Sequence, residues 1–201
     1  MPTTKAVLFD MGGVLVELGP LDELLGLTMA SDELWPRWLS SEAVRRFERG
    51  QCTNTEFARG LRAEFELPLT VADVLERIRG FPRGLYDGAR ELVADLVDGL
   101  VTGVLSNTNQ LHWDHQIDAE TIQQMFDHQF LSYRLGLVKP DAAIFQRVVA
   151  DLGLAPSEVL FIDDNQLNVD GARTVGLDAH QAQGVIAARQ LLTERGLIRA
   201  G

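Results

Sequence analysis

Four short apolar runs in this chain each give way to turn or polar residues, and that pattern constrains the fold more than any other feature. Ala6 to Phe9 stops on Asp10, and Met11-Gly12-Gly13 follows at once. Val101 to Leu105 stops on Ser106-Asn107-Thr108-Asn109, and Val159 to Ile162 stops on Asp163-Asp164-Asn165. Gln129 to Leu131 is the fourth run, and Leu177 to Gln181 is a weaker fifth. Short buried strands separated by helical patterns build βαβ units and a parallel sheet. In such a sheet ligands collect at the carboxyl ends of the strands. The polar clusters therefore converge on one edge.

The helices between the strands are read from apolar spacing. Ala89, Leu92, Val93, Leu96 and Val97 repeat at helical intervals between Gly88 and Asp98. Asp141 to Leu152 follows Pro140, a helix-starting residue. Asn168 to Val175 closes on Gly176, and Ile186 to Arg195 forms a terminal helix. Residues 16–85 differ. They show no strand, only helical stretches around Leu21–Leu27, Ser31–Leu39, Glu42–Arg49, Thr55–Phe65 and Val71–Arg79. Thr53-x-x-Glu56 is a capping box that marks one helix start. Gly80, Pro82 and Gly84 punctuate the return to α/β patterning. The economical division is a core of residues 1–15 and 86–201 carrying a helical insert, 16–85, over the sheet edge above Asp10.

At 201 residues, 46% hydrophobic and 23% charged, the chain can bury a substantial core. A net charge of −11 argues against a nucleic-acid partner, though not against a small phosphorylated one, because a bound cation supplies local positive charge. The single cysteine, Cys52, precludes an internal disulfide and reads as inert. The N-terminal apolar run is too short for a secretory signal, and no stretch approaches membrane-spanning length. The expectation is a cytoplasmic protein with no membrane partner, its oligomeric state left open.

Each cluster has a chemical and an ordinary reading. Asp10 suits a nucleophile or a metal ligand, or simply opens a glycine turn. Ser106 to Asn109 can hold phosphate oxygens, or form a strand-to-helix loop with an N-cap. Lys139 before Pro140 can neutralise a carboxylate and a phosphoryl group, or lie on the surface before a helix. Asp163 and Asp164 repel each other unless a cation sits between them and Asp10, and Mg2+ suits such oxygen donors. The alternative is an acidic helix N-terminus.

The four clusters together, in this order, resemble the haloacid dehalogenase-like (HAD) hydrolase superfamily. The resemblance is carried by Phe9-Asp10-Met11-Gly12-Gly13-Val14-Leu15, Leu105-Ser106-Asn107, Lys139-Pro140 and Ile162-Asp163-Asp164-Asn165, with Asn168 and Gly171-Ala172 beyond. It implies a doubly wound, Rossmann-like α/β core with a small C1-type helical cap inserted after the first strand. It further implies Mg2+-dependent hydrolysis of a small phosphorylated metabolite. Asp10 would attack phosphorus, and Lys139 would balance the charge of Asp10 and the phosphate. Ser106, Asn107 and the Gly12-Gly13 turn would bind the phosphoryl group. Asp10, Asp164, the Gly12 carbonyl and Asp163 would hold the metal, the last directly or through water.

One departure stands out. The superfamily's phosphatases usually carry an acid-base aspartate two places after the nucleophile, where this chain has Gly12. A substrate with an acidic leaving group, such as a sugar 1-phosphate, would tolerate that loss. The motifs look most like the α-D-glucose-1-phosphate phosphatase-like branch. A 2-haloacid dehalogenase also lacks this aspartate, but leaves the Asp163-Asp164 pair idle. A weakly active binding or regulatory relative is the third reading. His112 is a minor candidate for the missing acid, and His112 with His115 lacks a third ligand for zinc. Trp35 and Trp38 read as packing of the insert, Arg45, Arg46 and Arg49 as a solvated helix face, and Glu17 as a linker.

Overall fold

The computed structural model describes residues 3–29, 31–115 and 119–199. In chain order the strands are β1 (Ala6–Phe9), β2 (Val16–Leu18), β3 (Pro82–Leu85), β4 (Val101–Ser106), β5 (His128–Leu131), β6 (Val159–Asp163) and β7 (Asp178–Gln181). Five of them form one parallel sheet in the order β5-β4-β1-β6-β7. From β1 the chain runs outward through β4 and β5, then returns to the other side of β1 for β6. That reversal is a topological switch point, and it brings the carboxyl ends of β1, β4 and β6 side by side.

Alternation along β1 covers both faces of the sheet. Val7 and Phe9 pack with residues of α6 (Ala89–Ala94) and α12 (Gly184–Glu194), whereas Ala6 and Leu8 pack with those of α10 (Ala142–Leu152) and α11 (Gln166–Thr174). All four β1 side chains are fully buried, each large one contributing about 1.5–3 kcal/mol. Three further helices, α7 (Gln110–His115), α8 (Ala119–Met125) and α9 (Ser132–Leu135), follow β4 and β5. Apolar spacing had not revealed them, because each is only four to seven residues long.

Helices α1 (Leu21–Leu25), α2 (Ser31–Ser40), α3 (Glu42–Glu48), α4 (Asn54–Phe65) and α5 (Val71–Arg79) close around an apolar cluster of their own. The capping box at Thr53 is present, with Glu56 accepting from the Thr53 amide. The expectation of a strandless insert is corrected. Val16–Leu18 pairs antiparallel with Pro82–Leu85, so the two chain crossings form a ribbon. Glu17 belongs to this ribbon, 3.5 Å from Arg83. Two three- or four-residue strands carry too little alternation to be read beside a glycine and a proline.

Arg45 and Arg49 are not a solvated face either. Both reach the Asp141 carboxylate at 2.8 Å and tie the insert to the turn before α10. No described helix is long and apolar enough to cross a membrane. Asp141→Asn is expected to destabilise the protein by about 0.5–1 kcal/mol, since the pairs are partly solvated, lowering Tm by about 1–4 °C in a thermal scan.

Candidate active site

The β1 ladder does not end at Phe9. The Asp10 amide donates to the Ile162 carbonyl at 2.7 Å, so its backbone stays in register beside β6. The chain then turns sharply. The Leu15 and Val16 amides both donate to the Met11 carbonyl, and the Gly13 amide donates to Val16. Gly13 has φ +76°, and a Cβ there would stand 2.3 Å from an Asp164 carboxylate oxygen. Only glycine lets the turn pass so close to that carboxylate.

Lys139 is the centre of the site. Its ammonium is 1% exposed and lies 2.8 Å from Asp10 Oδ1, 2.7 Å from Asp163 Oδ2 and 2.9 Å from the Leu105 carbonyl oxygen. Its three protons are matched to three acceptors. The ammonium thus neutralises two carboxylates, and Lys139 also lines the cavity above them. Burial opposes its charge, but Asp10 and Asp163 outweigh that and hold the lysine protonated well above its usual range. The backbone is clamped as well. Asn107 Nδ2 donates to the Lys139 carbonyl and Asn107 Oδ1 accepts from the Lys139 amide. The Lys139-Pro140 peptide is cis, and the Pro140 carbonyl packs so tightly on Gly171 that a Cβ there would approach within 2.4 Å.

Asp163 is fully buried and saturated. It accepts from Lys139, from the Asn165 amide at 2.8 Å and from Asn168 Nδ2 at 3.0 and 3.1 Å. Asp164 is half-buried and faces the cavity with Asp10 and Gly12. One carboxylate oxygen from each of Asp10, Asp163 and Asp164 lies within 4.8 Å of the others. Burial and the neighbouring carboxylates push Asp10 up to about 8, against the pull of Lys139. Burial and Asp163 push Asp164 up to about 6. Three carboxylates around one ammonium form a hard-oxygen donor set with surplus negative charge, which fits Mg2+.

Ser106 reaches the cavity from the end of β4, with only a long 3.5 Å contact to the Asn107 carbonyl. Thr108 Oγ1, in the same wall, is buried without a hydrogen-bond partner among the described residues. It belongs to the Ser106 to Asn109 cluster read from the sequence as able to hold phosphate oxygens. Asn109 caps α7 through the His112 amide. His112 does not supply an acid. Its Nε2 meets the Ile78 carbonyl at 2.7 Å and its Nδ1 meets Asn109 at 3.2 Å, while burial drops its pKa to about 4. The ring is neutral and joins the insert to the core. The side chain of His115 lies outside the described residues.

Above these groups is a cavity of about 750 Å3. Its floor is polar, and its upper wall, from the insert, is aromatic and aliphatic: Trp35, Trp38, Phe47, Phe57, Ile78 and Phe81. Trp35 and Trp38 each also pack on Phe81, so they pack the insert as expected and line the cavity as well. A Cβ on Gly12 would meet Leu18 Cδ1 at 2.9 Å, so Leu18 fills part of the space beside that position. The saturated ammonium predicts that Lys139→Met, which strands two buried carboxylates, costs about 3–5 kcal/mol at neutral pH, measured by urea unfolding.

A family model described as haloacid dehalogenase-like hydrolase matches residues 4–176. The chain is 26% identical over 200 residues to a D-ribitol-5-phosphate phosphatase of Bacteroides thetaiotaomicron, covering 94% of this chain and 97% of that one. It is 27% identical over 178 residues to the sesquiterpene phosphatase astK of Aspergillus oryzae, covering 87% and 88%. It is 26% identical over 193 residues to an (S)-2-haloacid dehalogenase of Pseudomonas sp. strain YL, covering 88% and 81%. The crystal structure of a HAD family enzyme from B. thetaiotaomicron, in complex with magnesium and inorganic phosphate, superposes with a TM-score of 0.70 at 25% identity, covering 90% of this chain and 94% of that one. The parallel sheet, the carboxylate cluster and the span of the family match together make this chain a member of the haloacid dehalogenase-like hydrolases.

Proposed function

We propose that the protein is a Mg2+-dependent phosphatase that cleaves a small phosphate monoester through an aspartyl-phosphate on Asp10. The observation that carries this reading is the cluster of Asp10, Asp163 and Asp164 beside the Lys139 ammonium at the floor of the cavity. A dehalogenase reading gives the acidic pair no comparable use. The phosphatase relatives and the magnesium–phosphate neighbour support the same choice.

In this reading Asp10 Oδ1 stays on Lys139 while Oδ2 attacks phosphorus. Asp10, Asp164 and the Gly12 carbonyl would hold Mg2+, which would supply positive charge against the phosphoryl oxygens. Asp163 orients Lys139 and Asn168, because its own oxygens are already occupied. The hydroxyls of Ser106 and Thr108, the Asn107 amide and the Gly12-Gly13 turn receive the phosphoryl group. Residues 16–85 act as a cap that excludes water from the reacting centre and holds the leaving group.

The cap's share of the wall favours an alcohol with an apolar body. A polyol would bury hydroxyls against tryptophan and phenylalanine without partners, at about 1–3 kcal/mol each. Similarity to the sesquiterpene phosphatase supports this, whereas similarity to the ribitol-5-phosphate phosphatase supports a sugar phosphate as the second reading. Phosphate release by the purified protein is expected with Mg2+, is expected to stop with EDTA, and is expected to fall to background in Asp10→Asn with the fold retained by circular dichroism. Turnover of Asp10→Asn near the parent level, or chelator-resistant halide release from 2-chloropropionate, would overturn the proposal. Among phosphate esters, kcat/KM for an arylalkyl phosphate is expected to exceed that for sugar phosphates by about 10-fold or more.

A further inference from the structure

A monoester of an ordinary alcohol leaves as an alkoxide unless something protonates it, and Gly12 cannot. The ionisable side chains among the described cavity-lining residues are Asp10, Glu48, His112, Lys139 and Asp164. Four are already committed: Asp10 and Lys139 to each other, Asp164 to the acidic cluster, and both nitrogens of His112 to Asn109 and Ile78. Glu48 remains. It ends α3, it is the one ionisable group that the insert contributes to the cavity among the described residues, and it has neither hydrogen bond nor ion pair there. It lines the same cavity as Asp10 and Lys139, and the chain around it is held from both sides. Arg45 and Arg49, three residues before it and one after, grip Asp141, and Gly50 packs against the Tyr133 backbone so closely that a Cβ would meet the carbonyl at 2.7 Å.

We propose, resting on the phosphatase reading, that Glu48 is the acid-base residue of this enzyme and does from the cap what an aspartate at position 12 would do from the core. When Asp10 attacks and the ester P–O bond breaks, the Glu48 carboxyl proton passes to the departing oxygen, giving the neutral alcohol and a Glu48 carboxylate. Water then attacks phosphorus of the aspartyl-phosphate and gives its proton to that carboxylate. Orthophosphate leaves, and the Asp10 carboxylate and the Glu48 carboxyl are restored.

The electrostatics suit the task. Burial raises Glu48 to about 7, against the lowering pull of Lys139, Arg45 and Arg49, whose guanidinium groups are turned to Asp141. A carboxyl near 7 is about half protonated at neutral pH and can both give and recover a proton. The sign follows: the acid form is present below about 7 and is lost as pH rises through that value, so turnover of esters with basic leaving groups falls on the alkaline side.

The test compares Glu48→Gln with the parent, in Mg2+, on 3-phenylpropyl phosphate and p-nitrophenyl phosphate. The alkyl ester needs a proton, whereas nitrophenolate departs without one. Glu48→Gln is expected to lower kcat/KM for the alkyl ester roughly 100-fold or more and to flatten the alkaline limb near pH 7, while the pre-steady-state nitrophenol burst changes less than about 5-fold. Glu48→Asp is expected to regain part of the alkyl activity together with the limb. An equal loss on both esters, or none on the alkyl ester, overturns the assignment. Loss of the burst in Asp10→Asn reports separately on the phosphatase reading. Carbon-13 NMR titration of labelled Glu carboxyls, with Glu48 assigned by its absence in Glu48→Gln, needs no turnover: a midpoint near 7 supports the proposal, and an ordinary carboxylate midpoint near 4.5 overturns it.

Discussion

Everything at the floor of the site hangs on one buried ammonium. Lys139 sits between Asp10 and Asp163, with the Leu105 carbonyl as its third acceptor. A buried charge is tolerated only when it is paired and hydrogen-bonded, and each partner here lies at the end of a different strand. The ammonium therefore couples β4, β1 and β6 at the one place where their carboxyl ends meet. Asn107 and Gly171 hold the lysine's own backbone from two directions. The constellation is less a set of residues in a loop than a joint between strands.

The same joint divides the labour among three carboxylates that look alike in sequence. Asp163 is fully enclosed, and its oxygens accept from Lys139, Asn165 and Asn168. Asp164, its neighbour, points to the cavity beside Gly13. Asp10 shares the lysine but keeps an oxygen toward the open side. β6 ends at Asp163, whereas Asp164 lies in the bend beyond it, and the two neighbours therefore differ in burial and in partners. One ammonium does not offset three carboxylates, and the surplus negative charge is of the kind a divalent cation would neutralise.

The insert adds what the core lacks. It brings an apolar wall, one unpartnered carboxyl at Glu48, and the Arg45–Asp141–Arg49 clamp that sets the height of both over the floor. Leu18 stands where a side chain at position 12 would begin, so the absence of an aspartate there is matched by local packing. The insert thus brings a carboxyl to a cavity whose position 12 has none.

How much of this could be read beforehand follows from the range of the interactions. The core strands, the helices with an apolar face, the Thr53 capping box and the residues Asp10, Ser106, Lys139 and Asp164 are written in short stretches, because periodicity and turn chemistry act over a few positions. The β2–β3 ribbon escaped because its strands are short and lie at opposite ends of the insert. The Arg45 and Arg49 contacts with Asp141 span 96 and 92 residues, so in sequence those arginines look like a solvated face. His112 is a minor candidate for the missing acid in sequence, and only its two engaged nitrogens remove it, while nothing local to Glu48 distinguishes it from the other glutamates of the insert. The amino-acid sequence by itself determined a parallel α/β core and the carboxylates and lysine at its edge, since local pattern specifies them. Which of those groups are saturated, which are free, and which residue of the insert faces them was decided by tertiary structure alone, because burial and pairing are properties of neighbours brought together across the chain.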